Sequence, residues 1–196
     1  MSPRVASFAL WALWVLSWVA AAVWSRRTQA RASFADELGY RVFTALGGLL
    51  LAMSAGAGWP RVDPDRFLML WRLPRWAAWL CVGIEAAGFA FTWWARLALG
   101  ELWSSSVTRK ERHEIVRTGP YGLVRHPIYT GLLAAALGLA VQAGALAGFL
   151  GVASMTFGFW LKARLEERLL SETLGPAYAD YRRTTPMLAP FLRPRR

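Results

Sequence analysis

The feature that most constrains this chain is an uninterrupted run of about twenty residues, Val5 to Trp24, without a charged side chain. A helix of that length crosses the ~30 Å hydrocarbon layer of a bilayer, and it satisfies its own backbone hydrogen bonds while doing so. A cleaved leader is the competing reading, because Arg4 precedes the run and Ala20-Ala21-Ala22 mimics a cleavage site. The run is longer than the ~7–15 apolar residues of such leaders, and Arg26-Arg27 follow it directly. It reads as a retained first helix.

Three more apolar blocks follow. The second extends from about Val42 to Trp59 and is rich in glycine (Gly47, Gly48, Gly56, Gly58), which lets helices in lipid approach closely. The third runs from about Trp76 to Leu99 and encloses Glu85. Ile128 to Leu161 is too long for one ordinary span. It predicts a tight hairpin, with a fourth helix to about Val141 and a fifth from about Ala145 past Leu170. Hydrophobic residues make up 56% of the chain, and they sit in blocks with the charge collected between them. The predicted fold is therefore all-α: a single integral membrane domain over residues 1–196, a polytopic helical bundle of about five spans.

The formal net charge of +11 raises the question of nucleic-acid binding. Its placement argues against that. With the N-terminus outside, Arg26, Arg27, Arg31, Arg41, Arg96, Arg109, Lys110, Arg112, Arg117 and Arg125 fall on the inner side. Lys162, Arg164, Arg168, Arg182, Arg183, Arg193, Arg195 and Arg196 join them there, and the outer side keeps Arg4, Arg61, Arg66, Arg72 and Arg75. That asymmetry is the positive-inside pattern, with the C-terminus cytoplasmic. Tryptophans near span ends (Trp24, Trp59, Trp76, Trp103, Trp160) suit an interfacial belt. The single cysteine, Cys81, lies in an apolar run and supports neither an internal disulfide nor a cysteine-based zinc site.

Polar residues concentrate in two segments predicted to share the cytoplasmic side. One is Ser104 to Gly131 and the other Lys162 to Pro190. In the first, Thr118-Gly119-Pro120-Tyr121 is a turn signal, and Pro127 suits the first position of a helix. Arg125 and His126 then stand at a helix mouth, where free N–H groups beside a cation offer a seat for a carboxylate or phosphate. The plain alternative for Arg125 is an inside-positive anchor. In the second segment Lys162 and Glu166 are four apart on one helix face, beside Glu167. Read alone, these acids suit an ion-paired solvated face, and Tyr178 and Tyr181 suit interfacial anchors. Glu85 is an intramembrane acid, which is either functional or turned toward a polar neighbour. With two histidines and no metal-ligand spacing, no metal is expected, and no nucleophile elbow, phosphate loop or dinucleotide fingerprint is present.

Gly119-Pro120-Tyr121 followed by Arg125-His126-Pro127-Ile128-Tyr129-Thr130-Gly131 resembles the signature of the isoprenylcysteine carboxyl methyltransferase family, which is related to the phospholipid methyltransferases. Glu166-Glu167, Leu170, Gly175, Tyr178, Tyr181, Pro186 and Pro190 resemble the family's second pattern, and together the two cover about Leu99 to Pro190. The resemblance implies a helical membrane enzyme that binds S-adenosylmethionine on the cytosolic side, with three N-terminal spans in 1–99. A catalytic half in 100–196 would hold a cofactor-binding loop, the helical hairpin and an amphipathic C-terminal helix. It implies cofactor contacts at His113, Glu114, Ile115, Val116, Tyr121, His126, Pro127, Ile128, Tyr129 and Glu166. It also implies a substrate contact at Lys162, where eukaryotic members carry arginine. Lysine keeps the charge and loses the bidentate fork.

On this reading Arg125 and the helix mouth at His126 hold the cofactor's carboxylate, and Glu166 takes its ammonium or a ribose hydroxyl. Tyr121 and Tyr129 pack on it, and Lys162 orients an anionic group of a lipophilic or prenylated substrate among membrane lipids. A carboxylate acceptor is already ionised at neutral pH and needs no base, which favours O-methylation. Two other readings are a phospholipid or small-amine N-methyltransferase, and a transporter or scaffold in which Glu85 lines a pathway.

Overall fold

The computed structural model describes residues 1–21, 28–31, 33–56, 68–100, 108–110, 115–190 and 192. Within them the chain forms seven helices: α1 (Pro3–Ala21), α2 (Phe34–Ser54), α3 (Arg75–Leu99), α4 (Pro120–Leu123), α5 (Pro127–Ala143), α6 (Leu146–Leu174) and α7 (Pro176–Thr184). The all-helical expectation holds, with one small addition. Two short strands, β1 (Thr28–Arg31) and β2 (Thr108–Lys110), pair antiparallel.

Each predicted span has a helix, and the boundaries have local causes. Helices α1, α3 and α6 are long and apolar enough to cross a membrane, while α5 is apolar but has 17 residues. Helix α2 starts at Phe34, well before the apolar block at Val42, because Ser33 caps it: the Ser33 side chain accepts from the Asp36 backbone N–H at 3.2 Å. Asp36 and Glu37 then sit in the first turn, where the helix dipole favours acids. The predicted hairpin is present. Helix α5 stops at Gly144, which takes the left-handed backbone conformation (φ 65°). The segment Leu68 to Trp71 closes over this turn, with Leu70 N–H donating to Gly144 O at 2.7 Å and Leu146 N–H to Leu68 O at 3.0 Å.

Two helix pairs carry most of the packing, α2 on α6 and α3 on α5. Both meet glycine to glycine. A Cβ on Gly88 would lie 2.6 Å from the carbonyl oxygen of Gly131, and one on Gly47 would lie 2.5 Å from that of Gly151. Without a hydrophobic force between helices in lipid, such backbone approach is a principal source of attraction. Helix α1 is attached differently, by polar rungs to α3. Ser7 donates to Glu85 Oε1 at 2.8 Å, Trp14 Nε1 to Thr92 at 2.7 Å, and Trp93 Nε1 to Ser17 at 3.2 Å.

Helix α6 has 29 residues, roughly 43 Å at 1.5 Å per residue, so it outreaches the hydrocarbon layer. Its second half, rich in leucine, arginine and glutamate, has strong helix propensity and continues without a break to Gly175. Because α5 and α6 run antiparallel from the turn at Gly144, the start of α5 lies level with the Lys162–Glu167 stretch of α6.

Candidate functional site

At that level four elements converge: the α4–α5 junction, the projecting part of α6, α7, and the irregular tail after α7. Pro127 takes the first helical position of α5, where a missing N–H costs nothing, and it leaves His126 as the non-helical cap. The Arg125 and His126 backbone N–H groups donate to Pro186 O at 2.9 Å and Met187 O at 3.1 Å. The Thr130 hydroxyl donates to Leu188 O at 2.6 Å. The tail is thus laid across the mouth of α5. Tyr181 ties α7 to α4 by donating to the Tyr121 carbonyl at 2.6 Å.

Side-chain charge is closely interlocked here. Arg125 Nε donates to Glu167 Oε1 at 2.7 Å, and its Nη1 donates to the carbonyls of Arg182, at 3.1 Å, and Thr185. Arg182 Nε approaches the other Glu167 oxygen at 3.4 Å. His126 stands between the two acids, with Nδ1 3.3 Å from Glu166 Oε2 and Nε2 3.2 Å from Glu167 Oε1. Tyr129 donates to Glu166 Oε1 at 2.7 Å. The rings of His126, Tyr129 and Phe159 form a continuous stack, with centroids 5.4 and 4.9 Å apart. The Lys162 ammonium lies over the Tyr129 ring at 5.5 Å.

Both imidazole nitrogens facing carboxylates favours the doubly protonated ring. Burial by itself pulls the His126 pKa down, but the hydrogen bonds and charges of Glu166 and Glu167 outweigh it and the net direction is up. Burial pushes the Tyr121 hydroxyl well up and the Tyr181 hydroxyl up to about 12, so neither is ionised near neutrality.

The residues singled out in the sequence therefore come together in large part. Tyr121, Arg125, His126, Pro127, Tyr129, Lys162 and Glu166 belong to one cluster or its immediate wall. Ile128 is half-buried in the first turn of α5. Ile115 and Val116 are half-buried just before Arg117, whose Nη2 donates to Ala177 O on α7 at 2.6 Å. His113 and Glu114 lie outside the described residues. Arg125 is already engaged by Glu167 and the carbonyls of Arg182, on α7, and Thr185, and the helix mouth is covered by the tail backbone. Tyr178 and Tyr181, read from spacing as interfacial anchors, are buried at 2% and 4% exposure.

Glu167 was visible in the sequence only as half of an acid pair, with no role of its own. It follows Glu166 by one position, about 100° around the helix, so the two acids reach different sides of His126. Their exposure differs too, 22% for the Glu166 side chain and 3% for that of Glu167. Glu166 is the half-buried acid and Glu167 the enclosed one. An acceptor carboxylate at the surface of the cluster, neighbouring cations and an aromatic stack together fit a ligand that carries an ammonium, a carboxylate and a ring.

A family model described as phospholipid methyltransferase matches residues 76–177. Among curated proteins, the chain is 34% identical over 97 residues to a cobalt-zinc-cadmium resistance protein of Cupriavidus metallidurans, covering 48% of this chain and 44% of that one. It is 30% identical over 119 residues to a nickel-cobalt-cadmium resistance protein of Alcaligenes xylosoxydans, covering 59% and 52%. It is 29% identical over 87 residues to protein-S-isoprenylcysteine O-methyltransferase B of Arabidopsis thaliana, covering 44% of each. The chain spans about half the length of the curated relatives it matches.

Proposed function

This integral membrane chain belongs to the phospholipid methyltransferase family, and from that premise we propose that it methylates a lipophilic substrate at the cytoplasmic membrane face, using S-adenosylmethionine. The substrate class favoured is a carboxylate, isoprenylcysteine-like or another prenyl or lipid acid, made into its methyl ester. The observation that carries this reading is the half-buried carboxylate of Glu166, set beside His126, Tyr129 and Lys162 where α5 and α6 leave the membrane.

When bound, S-adenosylmethionine supplies an activated methyl group on sulfonium. The protein then has to position the partners and exclude water. Glu166 binds the ammonium or a ribose hydroxyl, and Tyr121 and Tyr129 wall the binding site. His126 and Ile128, with Pro127 setting the start of the helix, frame its floor. Ile115 and Val116, in the segment leading to Arg117, are further cofactor contacts on this reading, as are His113 and Glu114, which lie outside the described residues. Arg125 acts through Glu167 and the tail rather than directly, holding Glu167 against His126. Lys162 orients the substrate carboxylate, which is ionised at neutral pH and attacks without a base. The N-terminus then lies outside and the C-terminus in the cytoplasm, in keeping with the charge asymmetry.

Calorimetric titration of the purified protein with S-adenosylmethionine tests the site, repeated with Glu166→Ala and His126→Ala. At least a tenfold loss of affinity is expected in each; unchanged affinity in both removes the assignment. Mass spectrometry of lipid extracts after incubation separates ester products from methylated amines. Amine products would favour the phospholipid N-methyltransferase reading.

A further inference from the structure

The segment matched by the family model begins at residue 76, so α2 lies wholly before it. The first turns of α2 nevertheless wall the site. Tyr40 is buried, and Lys162 Nζ lies over its ring at 5.4 Å as it does over that of Tyr129 at 5.5 Å. The ammonium meets two tyrosine faces at once. Glu37, one turn before Tyr40 and 4% exposed, is held by Arg41 at 2.5 Å. Its charge, like that of Glu166, favours the same ammonium, and that of Arg41 opposes it. The arrangement is rigid because α2 is pressed on α6 here: a Cβ on Gly158 would lie 3.0 Å from Tyr40 O and 2.9 Å from Thr44 N.

A lysine is a point charge on a flexible stem and lacks the directional fork of arginine. A cation over two aromatic faces is held by their negative quadrupoles, which restores a direction the side chain lacks. We propose that Tyr40 and Glu37 are positioning residues for Lys162, through which α2 makes the site select lipophilic molecules ending in a carboxylate over the same molecules ending in a neutral group. This rests on the methyltransferase reading, in which Lys162 meets the substrate.

The test uses the full chain in nanodiscs and N-acetyl-S-farnesyl-L-cysteine beside its carboxamide. S-adenosylhomocysteine affinity reports the neighbouring cofactor site. The chain has two lysines, Lys110 and Lys162, so in a Lys110→Arg background 13C reductive methylation gives one side-chain resonance, that of Lys162. The acid should bind at least tenfold tighter than the amide, and the Lys162 resonance should be shifted upfield by the two rings. Tyr40→Phe should keep both properties. Tyr40→Leu should bring the acid-to-amide ratio close to one and relax the resonance, with S-adenosylhomocysteine affinity retained. Glu37→Gln leaves every ring in place and should lower the ratio severalfold. An unchanged ratio in Tyr40→Leu and Glu37→Gln, with S-adenosylhomocysteine still bound, overturns the proposal. So does a Lys162 resonance at the random-coil position in the unsubstituted background. Failure of the unsubstituted protein to bind S-adenosylhomocysteine overturns the methyltransferase reading instead.

Discussion

Glu85 and Glu167 are equally hidden, at 0% and 3% exposure, yet their surroundings differ in kind. Glu85 lies within α3 and receives the Ser7 hydroxyl, with the Gln142 side chain 3.1 Å from the same hydroxyl. Among the described residues no ion pair reaches it. Glu167 lies on the projecting part of α6 among Arg125, His126 and Arg182. A buried acid among neutral groups does the work of an interhelical hydrogen bond. One among cations organises charge, and removing it strands the partners. The contrast assigns Glu85 to the attachment of α1, and Glu167 to the scaffold of the site.

Substitutions that remove each acid sharpen this contrast. The largest stability loss is expected for Glu167→Ala, about 3–5 kcal/mol as for other broken buried ion pairs, read by thermal unfolding in detergent. A loss below 1 kcal/mol would erase the distinction. Arg125→Ala comes next, at about 2–3 kcal/mol, because Glu167 keeps His126 and Arg182. It should also raise proteolysis of the segment after α7, and an intact tail would contradict the clasp. Glu166→Gln should cost less stability than Arg125→Ala, since His126 keeps Glu167, and should weaken S-adenosylhomocysteine at least tenfold by calorimetry. Equal binding by variant and parent would move the ligand site elsewhere. Glu85→Gln should be smallest, within about 1 kcal/mol, since an amide oxygen still accepts from Ser7. A loss matching that of Glu167→Ala would mean that Glu85 is charged and paired.

The pH dependence separates the two regions as well. His126 gains two carboxylate partners on folding, so its folded pKa lies above its ordinary value of about 6.5. The stabilisation is fully present below the ordinary value and is lost as pH rises through the raised one. Unfolding temperature should therefore decline with rising pH above about 6.5, and His126→Gln should flatten that limb. A parent profile as flat as that of the variant would leave the imidazole uncoupled from the acids.

Much of the site was legible through the family resemblance, and local signals agree with it. Gly119-Pro120 starts a turn, Pro127 starts a helix, and the four-residue spacing of Lys162 and Glu166 puts both on one face. What was hidden is the use to which each residue is put. Arg125 looked free for an anion because its partner, Glu167, lies 42 positions away. Tyr178 and Tyr181 looked interfacial because helical spacing does not say what lies against the face. Tyr40 carried no signal, since its contact with Lys162 spans more than a hundred residues.

The sequence by itself determined the membrane class, the helical hairpin and the level at which its polar ends meet. Those follow from apolar length, helix rise and breaker residues, which are local quantities. Only the tertiary structure decided which buried acid is surrounded by neutral groups and which by cations. It also separated the enclosed Glu167 from the half-buried Glu166. The reason is physical: the surroundings of a charge are set by every element packed against it, and here those elements come from α1, α2, α5 and α7 as well as from the helix that carries the acid.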